Sequence, residues 1–196
     1  MSNTQIDPRQ ARRDAKITAI LSEAWLLAER DGLALISLRD LAARVDLRQP
    51  SLYVYFASKF DLYDAMFADG YRRLVAYLDD RPLPAEPRSA VEHFVALLVR
   101  FASGDPVVHQ LLFQRTIPGF APSPASWDAA LEFYGRARAV LGRTGIEHQD
   151  DVDIFSSLVA GLCDQQIAND PGGDRWVEHV PRVVAMFLRG AIQPLT

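Results

Sequence analysis

The 196-residue sequence has one cysteine, no long apolar run and no strong excess of charge. Because Cys163 stands alone, an internal disulfide and a multi-cysteine zinc site are both excluded. No stretch of about 18 apolar residues is present to span a membrane. The polar first residues also lack the apolar segment of a signal peptide. These absences predict a cytoplasmic protein that does not associate with a membrane.

Motifs of the common enzyme classes are missing as well. The sequence contains no Gly-x-Ser-x-Gly, no His-Glu-x-x-His and no phosphate-binding glycine loop. His148, Asp150 and Asp151 are close enough in sequence to bind a cation, but acidic residues at the beginning of a helix explain them better. Cys163 falls on an apolar helix face, which predicts a buried, unreactive thiol. We therefore predict no enzymatic activity, no metal and no cofactor.

The charge is distributed unevenly along the chain. Residues 1–60 hold nine basic and seven acidic side chains, a balance of +2, which leaves −6 for the rest because the net charge is −4. A mildly basic N-terminal part on an acidic body permits contact with DNA through the first part only. The chain is 49% hydrophobic, enough to bury a core in one medium or two small domains.

Apolar residues recur at gaps of three and four along most of the chain, and no segment alternates strictly between polar and apolar residues. This periodicity predicts an all-α fold. After a flexible arm over residues 1–8, a first helix is predicted to end at Gly32. Residues 81–87 are rich in proline and mark a subdomain boundary. Further helices are predicted over 91–101, 107–114, 127–141, 151–167 and 176–192, with a loop over 116–126. Pro181 predicts that the last helix kinks there or begins later than residue 176.

Residues 37–63 are the most informative part of the sequence. Ser37 and Ser58 are each followed three residues later by an aspartate, a pattern that caps the beginning of a helix. Between them the chain has a turn at Asp46 and a proline, Pro50, that suits the first turn of a helix. Two short helices joined by a tight turn and followed by a third helix are typical of a helix-turn-helix DNA-binding unit.

In such a unit the first helix supports the second, which enters the major groove. The supporting contacts need small and branched apolar side chains at helical spacing. The residues predicted to provide them are Leu41, Ala42, Val45, Leu47, Leu52 and Phe56.

The remaining side chains of this segment are candidates for DNA contact. Gln49 can donate to and accept from adenine, Ser51 can bind a base edge or a phosphate, and Pro50 lies beside them. The hydroxyl groups of Tyr53 and Tyr55 are predicted to reach phosphates.

Basic and capping residues near helix ends are the further candidates. Lys59 falls in the first turn of the following helix, where its ammonium group and free backbone amides converge on one anion. Ser37 and Arg39 are candidates for phosphate contact. Arg9, Arg12 and Arg13 could follow the backbone or enter the minor groove. Structural alternatives remain for these side chains: the two tyrosines could pack within the domain, Arg39 and Arg44 could lie on solvated faces, and Lys59 could be an ordinary surface lysine.

The combination of Ser37-Leu-Arg-Asp-Leu-Ala, Leu52-Tyr-Val-Tyr-Phe and Ser58-Lys-Phe-Asp-Leu resembles the tetracycline-repressor (TetR/AcrR) family of bacterial transcription regulators. The resemblance covers about the first third of the chain. It implies an all-helical homodimer with an N-terminal helix-turn-helix head at residues 9–57 and a C-terminal ligand-binding and dimerisation body at 58–196. It also implies DNA contact by Ser37, Gln49, Ser51, Tyr53, Tyr55 and Lys59.

Two residues depart from the family pattern. Asp46 stands where the turn usually has glycine, and aspartate adopts a left-handed conformation less readily. Arg48 replaces the usual small polar residue at the beginning of the recognition helix. Arg48 cannot cap that helix, but it adds a possible phosphate or guanine contact. These changes are expected to alter the operator more than the fold.

The body is rich in aromatic residues, which a pocket for a small, largely apolar molecule requires. An aromatic residue at helical spacing is, however, more often part of the hydrophobic core. The candidate pocket residues are Phe94, Leu98, Phe101, Phe113, Trp127, Phe133, Tyr134 and Gln165. His93, His109, Gln114, Arg115 and Gln166 are further polar candidates.

The last two predicted helices carry more apolar residues than one packing face needs, which favours a four-helix dimer interface. The alternative is that both helices pack wholly on their own body. The candidate interface residues are Phe155, Val159, Leu162, Trp176, Val180, Val184, Phe187 and Leu188.

The sequence therefore predicts a regulator that binds a palindromic double-stranded DNA operator as a homodimer and is released by a small-molecule effector. Three alternatives remain. The same dimer could be controlled by a protein partner, it could act as an activator, or the head could be vestigial on a ligand-binding or enzymatic body.

Overall fold

The structure, a computed structural model, describes residues 7–192, the last of them by its backbone only. Within this part of the chain the secondary structure is helical throughout, which confirms the predicted all-α class. The helices are α1 (Pro8–Asp31), α2 (Leu38–Arg44), α3 (Gln49–Leu52), α4 (Lys59–Asp79), α5 (Pro87–Gly104), α6 (Pro106–Phe113), α7 (Pro124–Gly142), α8 (Gln149–Asn169) and α9 (Val180–Ile192), with a 3₁₀ turn at Leu33–Leu35.

The helix ends form where the sequence predicts them in the N-terminal region. The Ser37 hydroxyl accepts the amide of Asp40 at 3.2 Å, and the Ser58 hydroxyl accepts the amide of Asp61 at 3.1 Å. Gly32 ends α1 with φ at +88°, a conformation that glycine adopts at little cost. Both predicted serine caps and the predicted helix stop are confirmed.

Several predicted helix boundaries shift, among them those of α1, α7 and α9. The predicted arm over residues 1–8 ends earlier, because Pro8 suits the first turn of α1 and Asp7 caps it by accepting the amide of Arg9; residues 1–6 lie outside the described part. Helix α7 begins at Pro124 rather than residue 127 for the same reason, so the loop before it is shorter. Helix α9 begins at Val180, the later of the two predicted starts, with Pro181 in its first turn.

Helix α4, the first helix after residues 9–57, connects the head to the body: it contacts α1 of the head and α6 and α7 of the body. Gly70 allows α6 to approach, because a Cβ atom there would lie only 3.0 Å from Cδ2 of Leu112. Helix α5 contacts α8 and α9 on another side of the body. The connector α4 therefore shares its core with both the head and the helices around the body.

None of the described helices is both long and apolar enough to cross a membrane.

Candidate DNA-binding surface and ligand cavity

The short helix α3 is held on a buried apolar base. Leu41 of α2 and Leu52 of α3 are almost completely buried, as are Ala42, Val45 and Phe56. Asp46 has φ at +55°, the left-handed turn for which glycine is better suited. The next amide, that of Leu47, donates to the carbonyl of Ala42 at 2.9 Å, so the turn closes despite the aspartate. Arg48 precedes α3 without a side-chain cap, as its chemistry predicts.

The face of this unit that points away from the base is exposed. Gln49, Pro50 and Ser51 are all exposed, and so is Arg48 before them. Tyr53 and Val54 are exposed to solvent over 45% and 68% of their surface, which is high for an aromatic and an aliphatic side chain. The structure thus brings the predicted contact residues of α3 together on one accessible surface.

Tyr55 is only half-buried, with the Arg13 guanidinium 5.3 Å from its ring centre. Arg13 also donates to the carbonyl of Val54 at 3.3 Å, which joins α1 to the end of the recognition segment. Arg44 pairs with Glu23 at 2.9 Å, whereas Arg39 is exposed at the beginning of α2. Tyr55 and Arg13 therefore form one cationic–aromatic contact beside α3.

Lys59 connects α4 to the head in this structure. Its ammonium group donates to the carbonyl of Ala34 at 2.8 Å and lies 5.5 Å from the ring centre of Tyr63. Partial burial lowers the pKa of Lys59. The Tyr63 hydroxyl donates to the neighbouring carbonyl of Leu33 at 2.6 Å, and burial raises the pKa of Tyr63 to about 12. The first turn of α4 is thus fixed to the 3₁₀ turn of the head.

A cavity of about 700 Å³ lies in the body, among α5, α6, α7 and α8. Of the predicted pocket residues, five line it: Leu98, Phe101, Phe113, Phe133 and Tyr134. Trp127 lines instead a second cavity of about 270 Å³. Phe94 lies behind the wall, stacked on Phe133 with ring centres 6.4 Å apart, and the exposed Gln165 accepts a hydrogen bond from Asn169. Helical spacing therefore predicted neither which of these residues are buried nor which of them border the cavity.

One polar cluster stands on the wall of the larger cavity. Asp164 accepts hydrogen bonds on one oxygen from His109 Nε2 at 3.1 Å and from Gln114 Nε2 at 2.8 Å. His109 is buried, whereas the Asp164 side chain keeps 51% of its surface exposed. His109 and Gln114 were among the polar candidates predicted from the sequence, but Asp164 was not. The available signal was a charged residue directly after the apolar run at 158–163.

A second polar group lies near the beginning of α8. Arg138 donates to Gln149 Oε1 at 2.7 Å and to the carbonyl of Glu147 at 3.2 Å, and Gln149 donates in turn to Asp153 at 2.7 Å. Asp153 and Asp164 are eleven residues apart on α8, a rise of about 16 Å. The cavity therefore has polar side chains at two well-separated points along α8 and an apolar wall between them.

The thiol of Cys163 also borders the cavity. Burial, with a smaller contribution from the Asp164 charge, raises the pKa of Cys163 to about 12. A thiol of this kind is unreactive near neutral pH. Within residues 7–192, no three histidine, cysteine or acidic side chains are grouped closely enough to hold a metal ion.

The predicted interface residues lie mostly inside one protomer. Phe155, Leu162, Val180, Val184, Phe187 and Leu188 are buried by its own body, and Val159 and Trp176 are half-buried. The outer side of the same helices carries other apolar residues: Ile154, Leu158 and Met186 are exposed by 55%, 39% and 56%. The apolar residues of α8 and α9 therefore form two faces. The inner face packs in the core of the protomer, and the outer face is exposed to solvent.

Comparisons with known proteins agree with this architecture. Residues 20–66 match the sequence model of "Bacterial regulatory proteins, tetR family". The solved structure of PfmR, a TetR family transcriptional regulator from Thermus thermophilus, is 24% identical, with a TM-score of 0.59 over 87% of this chain and 97% of that one.

Two further solved structures are complexes with small molecules. RolR with resorcinol is 18% identical (TM-score 0.62, covering 95% of this chain and 98% of that one). The multidrug binding protein EbrR with ethidium is 20% identical (TM-score 0.64, covering 88% and 98%). The comparison with curated protein sequences finds no match. Residues 20–66 thus match the tetR family of bacterial regulatory proteins, and the chain shares its fold with these solved structures along nearly its whole length.

Proposed function

We propose that this DNA-binding regulator is a homodimeric repressor that leaves its operator when a small molecule occupies the body. The observation that carries the proposal is the presence, in one chain, of an exposed recognition helix and a partly open cavity of about 700 Å³. A cavity of this size accommodates a drug-sized ligand. A regulator of DNA acts where the DNA is, so the cytoplasm is the proposed location.

In the proposed complex, one α3 helix of each protomer enters the major groove of one half-site. Gln49 and Ser51 read base edges, with Pro50 in van der Waals contact and Arg48 close to guanine or a phosphate. Ser37, Arg39, Tyr53 and Tyr55 fix the register through phosphates. Lys59 adds a positive charge at the N-terminus of α4, where the backbone amides also favour an anion.

We assign the dimer interface to the outer side of α8 and α9. Ile154 and Leu158 are spaced four apart, so they form one stripe along α8, and Met186 extends the apolar surface on α9. Pairing these faces across a two-fold axis gives a four-helix bundle. The buried residues that the sequence predicted for the interface, such as Phe155 and Phe187, pack beneath this outer face.

The loop between α6 and α7 is the proposed route from the cavity to the head. Phe113, Gln114 and Tyr134 border both cavities, and the smaller cavity reaches Phe120 in this loop. The Phe120 ring centre lies 5.8 Å from that of Tyr63 and 6.2 Å from that of Phe60, both in the first turns of α4. Tyr63 and Lys59 in turn donate hydrogen bonds to the 3₁₀ turn of the head. A displacement of Phe120 is therefore transmitted to the head through the first turns of α4.

A carboxylate fixes the other end of this loop to the same helix. Asp64 of α4 accepts the amide and the hydroxyl of Ser123 at 2.7 Å each, and the hydroxyl of Ser126 at 2.7 Å. Helix α7, which forms one wall of the cavity, is thereby tied to the connector α4. A ligand that favours a different position of α7 or of the loop therefore favours a different spacing of the two heads.

The functional division at residue 58 is part of the proposal. Residues 9–57 provide the DNA reader, and residues 58–196 provide the connector, the cavity and the dimer face. RolR and EbrR have this fold and bind resorcinol and ethidium, which supports a small-molecule effector over control by a protein partner. The effector hypothesis also gives the cavity a role, which a purely protein-controlled regulator does not need.

Fluorescence anisotropy with DNA from upstream of the chain's own gene tests the proposal. We expect specific, salt-dependent binding by a dimer. Gln49→Ala should relax discrimination at one base pair by about 1–3 kcal/mol, whereas Lys59→Ala should weaken binding to every sequence alike and reduce the salt dependence. Unchanged operator selectivity in Gln49→Ala would overturn the proposed base contact of Gln49. Absence of any specific DNA binding would overturn the proposed repressor function.

A further inference from the structure

We propose that the cavity selects an aromatic cation, whose positive charge pairs with Asp164 while its ring system packs among Phe113, Phe133 and Tyr134. This inference rests on the proposed function, since it names the chemical class of the effector. It is carried by the charge and the aromatic geometry of the cavity wall.

The first argument is the unused half of the Asp164 carboxylate. His109 and Gln114 both donate to the same oxygen, Oδ1. Within residues 7–192 no lysine or arginine forms an ion pair with Asp164. The side chain is half exposed on the cavity wall, so its second oxygen is accessible to a ligand. A carboxylate in this position supplies a negative charge and a hydrogen-bond acceptor.

The second argument is the aromatic wall beside the carboxylate. The Phe113 ring centre lies 5.3 Å from that of His109, the residue that holds Asp164, and 5.8 Å from that of Phe133. The Phe133 and Tyr134 rings follow at 5.3 Å and meet edge to face. Phe113 and Tyr134 are both exposed on the wall. Aromatic faces attract a cation electrostatically, and they also stack on a flat apolar ligand.

The third argument is the scarcity of positive charge for an acidic ligand. Among the described residues that line the cavity, Arg138 is the only lysine or arginine, and its guanidinium already donates to Gln149 and to the carbonyl of Glu147. Asp153 borders the same end of the cavity. The fixed lining charges are thus two carboxylates against one guanidinium, and His109 adds a positive charge only when it is protonated. An anion would meet net repulsion, and a neutral ligand would cover the Asp164 charge without compensation.

Three compounds of nearly the same shape separate these possibilities: 1-methylquinolinium, 1-methylnaphthalene and 1-naphthoate. Calorimetric titration of the full-length protein should give affinity in the order cation, neutral, anion. We expect the cation to bind at least about tenfold more tightly than the neutral isostere, which corresponds to about 1.4 kcal/mol. Asp164→Asn should abolish this preference by weakening the cation, and it should not weaken 1-methylnaphthalene, because the asparagine oxygen still accepts from His109 and Gln114 while the uncompensated charge is gone.

Two variants serve as controls. Asp153→Asn removes the same charge from the other end of the cavity and should keep the preference for the cation. Asp164→Glu restores the charge and should restore part of the preference. Asp164 is exposed, so both substitutions there should leave the thermal unfolding of the protein nearly unchanged.

The inference is overturned if the neutral compound or the anion binds as tightly as the cation, or if Asp164→Asn keeps the preference. Tight binding of the neutral compound or the anion would still leave a ligand-binding cavity, so the proposed function would survive that result. Failure of all three compounds to bind would overturn the inference. If a wider set of neutral and charged aromatic compounds then also failed to release the protein from its operator, the proposed control by a ligand would be overturned as well.

Discussion

The head and the body use the same helical periodicity to build opposite kinds of surface. In the head, Leu41 and Leu52 are buried, whereas Gln49, Tyr53 and Val54 are exposed on the outer surface. In the body, Phe113, Phe133 and Tyr134 border a partly open cavity instead. An exposed helix face suits the major groove, and a cavity with an aromatic wall suits a small molecule. Both regions have apolar residues at the same helical spacing. They differ in how neighbouring helices pack around those residues.

The largest expected effect concerns the proposed dimer face of the body, which holds the two heads together. Leu158→Asp places a charge in the proposed dimer face of α8 and should convert the dimer to a monomer. Because one head then binds one half-site, operator affinity should fall about 10²–10⁴-fold. Sedimentation velocity and anisotropy measure the two changes. Leu26→Asp, at an exposed leucine of α1, should alter neither the sedimentation coefficient nor the stability of the dimer; a dimeric Leu158→Asp variant would place the interface elsewhere.

Matched leucine truncations compare the packing of the two regions. Leu41→Ala, at a fully buried position of the head, should reduce the free energy of unfolding by about 2–5 kcal/mol. Leu98→Ala removes a half-buried side chain that already borders the cavity, so fewer contacts are lost and the cost should be clearly smaller. Chemical denaturation gives both values. Equal costs would mean that the cavity wall is packed as tightly as the head.

The proposed route between the regions is tested at Phe120. Phe120→Ala removes the ring that contacts Phe60 and Tyr63 but touches neither α3 nor the larger cavity. Operator affinity without ligand and ligand affinity without DNA should stay within about threefold, whereas the ligand's effect on DNA binding should fall by part of a coupling energy of about 1–3 kcal/mol. A thermodynamic cycle of four titrations measures it. Full retention of the coupling would exclude this loop as the route.

The smallest effect is expected in the turn of the head. Asp46→Gly should raise the free energy of unfolding by about 0.5–1 kcal/mol, because glycine adopts a φ of +55° without the strain of a side chain. Asp80 follows α4 with φ at −71°, so Asp80→Gly should give no such gain. Thermal denaturation of the two variants measures both effects. Destabilisation by Asp46→Gly would show that the Asp46 carboxylate itself stabilises the turn.

Local chemistry explains why the head was the more predictable region. A serine with an aspartate three residues later, Gly32 at a helix end and Pro50 in a first turn each act through neighbouring backbone atoms. The caps therefore form where the pattern indicates. Residues Asp46 and Arg48 also behave as their own chemistry implies, the first in a left-handed conformation and the second as an uncapped helix start.

The body was less predictable because its features depend on contacts between distant residues. Asp164 joins His109 and Gln114 across 55 and 50 positions, so no local motif marks the cluster. Phe94 and Phe133 are both buried aromatics at helical spacing, yet only Phe133 borders the cavity. The surplus of apolar residues on α8 and α9 was visible, but which of them face inward was not.

By itself, the sequence determined the helical class and the helix-turn-helix with its caps and the exposed residues of α3, because these follow from short-range hydrogen bonding and periodicity. Only the tertiary structure decided which aromatic residues enclose a space, that Asp164 stands on its wall, and that Ile154, Leu158 and Met186 form the outer face. Those outcomes depend on the angles and distances at which helices pack, and the spacing of residues along one helix does not contain that information.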